Sequence, residues 1–134
     1  MIVVLDASGA VEIVTKTKYG IDCINTLMNA DRVIAPDLYI PEISNVIWKI
    51  GKRHRIGSDI CIEMANDCID YIDEYVSASE LWKESLLLAQ KYGHSVYDML
   101  YAVLAKRHYA ILVTFDVRLR KICDEISVRC REMF

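Results

Sequence analysis

Residues 2–6 read Ile-Val-Val-Leu-Asp, and this stretch decides the fold. Three β-branched residues and a leucine, with no polar residue between them, are the pattern of a short strand covered on both faces, as in a parallel sheet. Asp6 closes the run with a carboxylate that needs a partner for its charge if the strand end is buried. Similar runs recur at Val33 to Ala35, at Tyr75 with Val76, at Ile111 to Val113 and at Ser127 to Arg129, which predicts about five strands. The intervening segments have helical spacing. Residues 18–30 place Ile21, Ile24, Leu27 and Met28 on one face, and residues 58–73 do the same with Cys61, Met64, Ala65, Cys68 and Ile72 behind a Ser58 cap. Residues 79–92 carry Leu81, Trp82, Leu86 and Ala89, with Ser79 as cap and Gly93 as the C′ residue, and residues 96–108 are helical again. Strands separated by one or two helices predict an α/β fold of three layers, a mainly parallel sheet with helices on both faces.

Size and composition agree with one domain over residues 1–134. The chain is 54% hydrophobic and 26% charged, with two prolines, five glycines and no low-complexity tract, which excludes a disordered chain. Asp6 interrupts the apolar opening and no basic region precedes it, so the sequence predicts no signal peptide and no membrane span. Cys23, Cys61, Cys68, Cys123 and Cys130 form an odd set without a C-x-x-C pair. They are expected as free thiols in a reducing cytoplasm. The net charge of −3 argues against a nucleic-acid partner at first sight, but setting aside four carboxylates as cation ligands leaves +1.

The acids carry the chemistry. Ligands of open parallel sheets bind beyond the carboxyl ends of the strands. Asp6 directly follows the first strand and Asp116 lies just past Ile111 to Val113, so both emerge at that edge. Asp98 opens an otherwise apolar helix, and Glu42 lies early in the helix after Pro36 and Pro41. Each has a plain structural explanation as well. Asp116 is placed to cap the helix over Val117 to Ile126, Ser95 and Asp98 have capping-box spacing, and Glu42 suits a solvated helix face.

Four segments, Val-Val-Leu-Asp-Ala-Ser (3–8), Ala-Pro-Asp-Leu-Tyr-Ile-Pro-Glu-Ile (35–43), Ser-Val-Tyr-Asp-Met-Leu (95–100) and Leu-Val-Thr-Phe-Asp (112–116), resemble the successive signature segments of the PIN domain, particularly VapC ribonuclease toxins. The resemblance runs from Ile2 to about Lys121. It implies that Asp6, Glu42, Asp98 and Asp116 are the catalytic metal-binding acids, with Ser8 and Thr114 as hydroxyls beside them. It further implies a Mg²⁺- or Mn²⁺-dependent endoribonuclease leaving 5′-phosphate and 3′-hydroxyl ends, a homodimer, and a small antitoxin partner. Physical chemistry agrees with the residue types, since hard cations prefer oxygen ligands and metal-bound water is a nucleophile toward phosphodiesters.

The helix over residues 41–54 turns Ile43, Val46, Ile47 and Ile50 to a core and sets Glu42, Asn45, Lys49 and Lys52 on a second stripe. Asn45 is a candidate to orient the acids, and Lys49, Lys52 and Arg53 are candidates to carry an RNA backbone. Equally, the stripe reads as a solvated face whose cations suit the helix C-terminus. Arg118, two residues past Asp116, is the candidate to meet a scissile phosphate. His54, His94 and His108 have no catalytic spacing and are expected to be incidental, and Trp48 and Trp82 are expected in the core. A catalytically silent PIN-like module that binds RNA or protein is the alternative. A haloacid-dehalogenase-like phosphatase needs a second acid two residues after Asp6, where this chain has Ser8.

Overall fold

The buried-strand pattern is realised in a single sheet. In the computed structural model, which describes residues 1–132, β1 (Ile2–Leu5), β2 (Arg32–Pro36), β3 (Glu74–Val76) and β4 (Ile111–Val113) lie in the order β3-β2-β1-β4, and every pair is parallel. Val3, Val4 and Leu5 are wholly buried, as a strand covered on both faces requires. The last two residues of the expected 1–134 unit lie outside the described residues.

Seven helices connect and cover the strands: α1 (Ala7–Val14), α2 (Lys18–Met28), α3 (Tyr39–His54), α4 (Ser58–Asp70), α5 (Trp82–Tyr92), α6 (Val96–His108) and α7 (Val117–Glu125). The result is the three-layer α/β/α arrangement. Helix α6 lies against β1 and β2 with α5 and α7 packed on it, while α1 contacts α2, α3 and α4. Every residue from Met99 to Ala105 is buried, so the middle of α6 is apolar all round, as a helix enclosed by neighbours must be. Among the described residues no helix is long and apolar enough to cross a membrane.

From β1 the chain steps outward through β2 and β3 on one side, and β4 then pairs with β1 on the other. The strand order therefore reverses between β1 and β4. Their carboxyl ends flank the crevice where a ligand of an open α/β sheet is expected.

Several local expectations are corrected. The sheet has four strands and not five, because Ser127 adopts a left-handed φ of 63° and Val128 bonds back to Cys123 in closing α7. Among the described residues of the tail a single bridge, Leu112 to Cys130, then remains. Gly57, not Ser58, caps α4, and Ser77, not Ser79, caps the 3₁₀ turn Ala78–Glu80 that precedes α5. On α2 the buried residues are Gly20, Cys23 and Thr26, while Ile21, Ile24 and Met28 are exposed. Gly20 explains the choice: a Cβ there would sit 2.3 Å from the Glu12 carbonyl oxygen, so α2 crosses α1 with its small-residue side. Trp48 and Trp82 are both more than half exposed rather than in the core. All five cysteines are free.

Candidate functional site

Asp6, Glu42, Asp98 and Asp116 line one cleft of about 160 Å³, together with Ala7, Ser8 and Tyr101. Each acid reaches it by a separate local device. Asp6 ends β1 and caps α1, its Oδ1 accepting from the Gly9 N–H at 3.1 Å and from the Ser8 hydroxyl at 2.6 Å. Ser8 Oγ in turn accepts from the Phe115 N–H at 2.9 Å, which ties the start of α1 to the loop after β4. Because Leu5 pairs with Val113, Asp6 and Thr114 leave the sheet side by side, and the buried Thr114 hydroxyl bonds the Asp6 carboxylate. The same Thr114 Oγ1 accepts from the Asp116 N–H at 3.2 Å.

Glu42 stands in the first turn of α3, where Pro41 is tolerated because a first-turn N–H lacks a helical partner anyway. Its Oε1 accepts a 2.5 Å hydrogen bond from the hydroxyl of Tyr101, a buried residue of α6. Asp116 caps α7, with Oδ1 accepting from the Leu119 N–H at 3.0 Å. The expected capping box does not form at α6: Ser95 caps the helix by accepting from the Tyr97 N–H, one residue before Asp98, and Asp98 turns its carboxylate toward His94.

Burial first, and the charges of neighbouring acids second, push three of these carboxyls upward. Burial raises the Asp6 carboxyl from 3.8 to about 6, against the lowering effect of its Ser8, Thr114 and Gly9 hydrogen bonds, and the Asp98 charge adds to the rise. Burial also raises Glu42, partly offset by the Tyr101 hydroxyl, with further increments from Asp98 and Asp6. Asp98 is raised chiefly by burial; His94 lowers it and Asp116 raises it.

His94, expected to be incidental, stands beside two of these acids. Its side chain is only 9% exposed, and Nε2 lies 2.9 Å from Asp98 Oδ2 and 3.5 Å from Asp116 Oδ2. One donor atom each from His94, Asp98 and Asp116 falls within 4.8 Å of the others, the compact ligand group among the described residues. The available signal was its place directly after the helix-ending Gly93 and four residues before Asp98.

Other candidates lie elsewhere. Asn45, Lys49, Lys52 and Arg53 are on exposed parts of α3 and do not line the cleft. Lys52 Nζ sits 5.7 Å above the Trp48 ring, and both residues line a groove between α3 and α4. Arg118 Nη2 donates to the Gly93 carbonyl at 2.7 Å, so this guanidinium holds the loop that carries His94.

Fold and cleft together define an α/β protein whose acids converge at the switch point of a parallel sheet. Its family is shown directly, for the PIN domain profile matches residues 3–125, and the chain belongs to that family. It is similar to Ribonuclease VapC3 of Pyrobaculum aerophilum, with 26% identity over 121 residues that span 89% of this chain and 92% of the relative. Two solved structures share the fold. PAE2754 from Pyrobaculum aerophilum superposes with a TM-score of 0.68 at 21% identity, covering 91% of this chain and 87% of the other. VapBC2 from Rickettsia felis, solved bound to a DNA fragment from its promoter, gives 0.67 at 15% identity over 98% of each chain.

Proposed function

We propose that this protein is a divalent-metal-dependent endoribonuclease, the toxin of a toxin–antitoxin pair acting in the cytoplasm, with its PIN-like nuclease domain extending over residues 1–134. One observation carries the reading: carboxylates from four distant stretches of the chain line one cleft at the switch point of the sheet. The donor set fits a hard cation such as Mg²⁺ or Mn²⁺, which takes carboxylate oxygens and keeps several waters. Burial is the main cause that raises the Asp6, Glu42 and Asp98 carboxyls, and the charges of neighbouring acids add to it, a strain that a bound cation would relieve.

Asp6, Glu42, Asp98 and Asp116 would hold the ion. When bound, such an ion polarises a phosphodiester and makes water a nucleophile near neutral pH. The chain's own residues supply position. Ser8 and Thr114 fix Asp6, Tyr101 fixes Glu42, and the first turn of α7 fixes Asp116. Lys49, Lys52 and Arg53 offer exposed cations along α3 for an RNA backbone, with Asn45 on the same helix nearer Glu42. The name of the Pyrobaculum relative supports RNA as substrate, and the Rickettsia complex supports a protein partner. Exposed apolar surface is present for an antitoxin and for a second copy of the chain. The groove between α3 and α4, about 550 Å³, is lined by Ile47, Trp48, Ile56 and Ile62, and α2 exposes Ile21 and Met28.

The test is incubation with a mixed RNA pool, with and without Mg²⁺ or Mn²⁺, followed by sequencing of the cleaved ends. Cleavage is expected only with metal. Asp6→Asn and Asp98→Asn should each lower it by more than about 100-fold, since loss of even an outer partner of a metal costs up to that much. Undiminished cleavage by either variant would remove that residue from the site, and metal-independent cleavage would overturn the proposal.

A further inference from the structure

The Asp98–Asp116 side of the cleft carries a donor that an all-oxygen site does not explain. His94 Nε2 is buried close to two carboxylates, yet it is aligned for a hydrogen bond with neither. Buried ring nitrogens ordinarily find such a partner. An imidazolium placed only to neutralise the acids would gain most by pointing its N–H along one of them. The observed arrangement suits a shared third body better. Ligand atoms about 2.1 Å from a common ion stand about 3.0–3.4 Å apart, and the two His94 separations, 2.9 and 3.5 Å, bracket that range.

The loop that carries the ring is also held by its backbone. Gly93, at φ 62°, ends α5, and the N–H groups of Gly93 and His94 both bond to the Ala89 carbonyl at 2.8 and 3.3 Å. Arg118 grips the Gly93 carbonyl, and Ser95 begins α6 on the other side of the histidine. A loop fixed at both ends narrows where its side chain can go, which favours a preorganised donor.

We propose that His94 Nε2 joins Asp98 and Asp116 in a mixed nitrogen–oxygen subsite, which makes the cleft selective for a first-row transition ion such as Mn²⁺ over Mg²⁺. This deepens the reading of the cleft as a metal centre and rests on it. The selectivity follows from ligand chemistry: a nitrogen donor raises affinity for first-row transition ions, of which Mn²⁺ is the hardest and weakest binder, whereas Mg²⁺ prefers oxygen and gives up water reluctantly.

Mn²⁺ binding to untagged protein tests the proposal through the electron spin resonance of the ion, independently of cleavage. Nitrogen modulation of the bound Mn²⁺ signal is expected, and it should change to the ¹⁵N pattern in protein grown on ¹⁵N-histidine. His94→Gln should abolish it and weaken Mn²⁺ binding by at least about tenfold, the lower end of what an outer partner alone contributes to metal affinity. Mg²⁺ binding, read by competition, should change much less. The chain has three histidines, so the double variant His54→Gln/His108→Gln keeps only His94 and should retain the modulation, which assigns it even if His94→Gln fails to fold. Bound Mn²⁺ without histidine nitrogen coupling would overturn the His94 subsite and leave the acidic centre standing. No bound Mn²⁺ at all would overturn both.

Discussion

Replacing Asp6 by asparagine should make the metal-free protein more stable, although it removes a residue proposed to be catalytic. Asp6 is 7% exposed and its carboxyl is raised from 3.8 to about 6 by burial, with the Asp98 charge adding to the rise. A displacement of that size corresponds to about 3 kcal/mol between the two protonation states. The sign follows from proton linkage. Between about pH 4 and pH 6 the folded chain holds a proton that the unfolded chain has released, so stability falls as pH rises through that window. Above it the full penalty remains. Asparagine carries no charge and its Oδ1 can still accept the Ser8 and Gly9 bonds, so Asp6→Asn should gain about 1–3 kcal/mol at pH 7.5. For a chain of this length that is a Tm increase of about 3–10 °C. Urea unfolding followed by circular dichroism in EDTA, at pH 4, 5, 6 and 7.5, measures both quantities. The gain should shrink toward zero at pH 4. A variant less stable than wild type at pH 7.5, or a wild type that becomes more stable from pH 5 to 7, would refute the reasoning.

Two further substitutions probe the supports of the cleft. Tyr101→Phe keeps the ring of a buried residue and deletes the hydroxyl that meets Glu42, leaving a half-buried carboxylate without that donor; a loss of about 1–3 kcal/mol at neutral pH is expected by denaturant unfolding, diminishing in acid as Glu42 protonates. Gly20→Ala drives a methyl against the Glu12 backbone, 2.3 Å from its carbonyl oxygen, and should cost about 1–3 kcal/mol as α1 and α2 separate; a neutral result would show that α2 can shift on α1 without penalty.

The fold was legible where one physical demand dominated. Ile2 to Leu5 and Ile111 to Val113 are apolar without alternation because their strands are covered on both faces, and β1 and β4 are neighbours in the sheet. The acids at their ends were therefore legible as a pair. Reading failed where hydrophobicity serves a purpose other than this chain's core. The stripe of Ile21, Ile24 and Met28 has the right period but faces outward, since Gly20, Cys23 and Thr26 give α2 a closer approach to its neighbours. Trp82 and Leu86 on α5 mislead in the same way, with the buried Ser85 facing inward and donating to the Leu81 carbonyl. His94 has no catalytic spacing in the sequence and so reads as incidental there. It lies in a loop, and its position depends on a left-handed Gly93 and a guanidinium from α7, neither of which is a periodicity.

In the sequence Asp116 and Asp98 presented a choice between capping a helix and lining a site, and in the structure a cap can also line the cleft. Asp116 makes the point atom by atom: Oδ1 accepts from the Leu119 N–H, while Oδ2 faces His94. Asp6 takes the Ser8 and Gly9 bonds on Oδ1 and still lines the cleft. A cap fixes a carboxylate with charge-assisted bonds to backbone that cannot move without unwinding a helix. The start of a helix after a parallel strand is thus a natural place to hold an oxygen ligand still, and the switch point puts two such starts side by side. Glu42 and Asp98 reach the same cleft from first turns without being caps; the Tyr101 hydroxyl holds Glu42, and Asp98 faces His94.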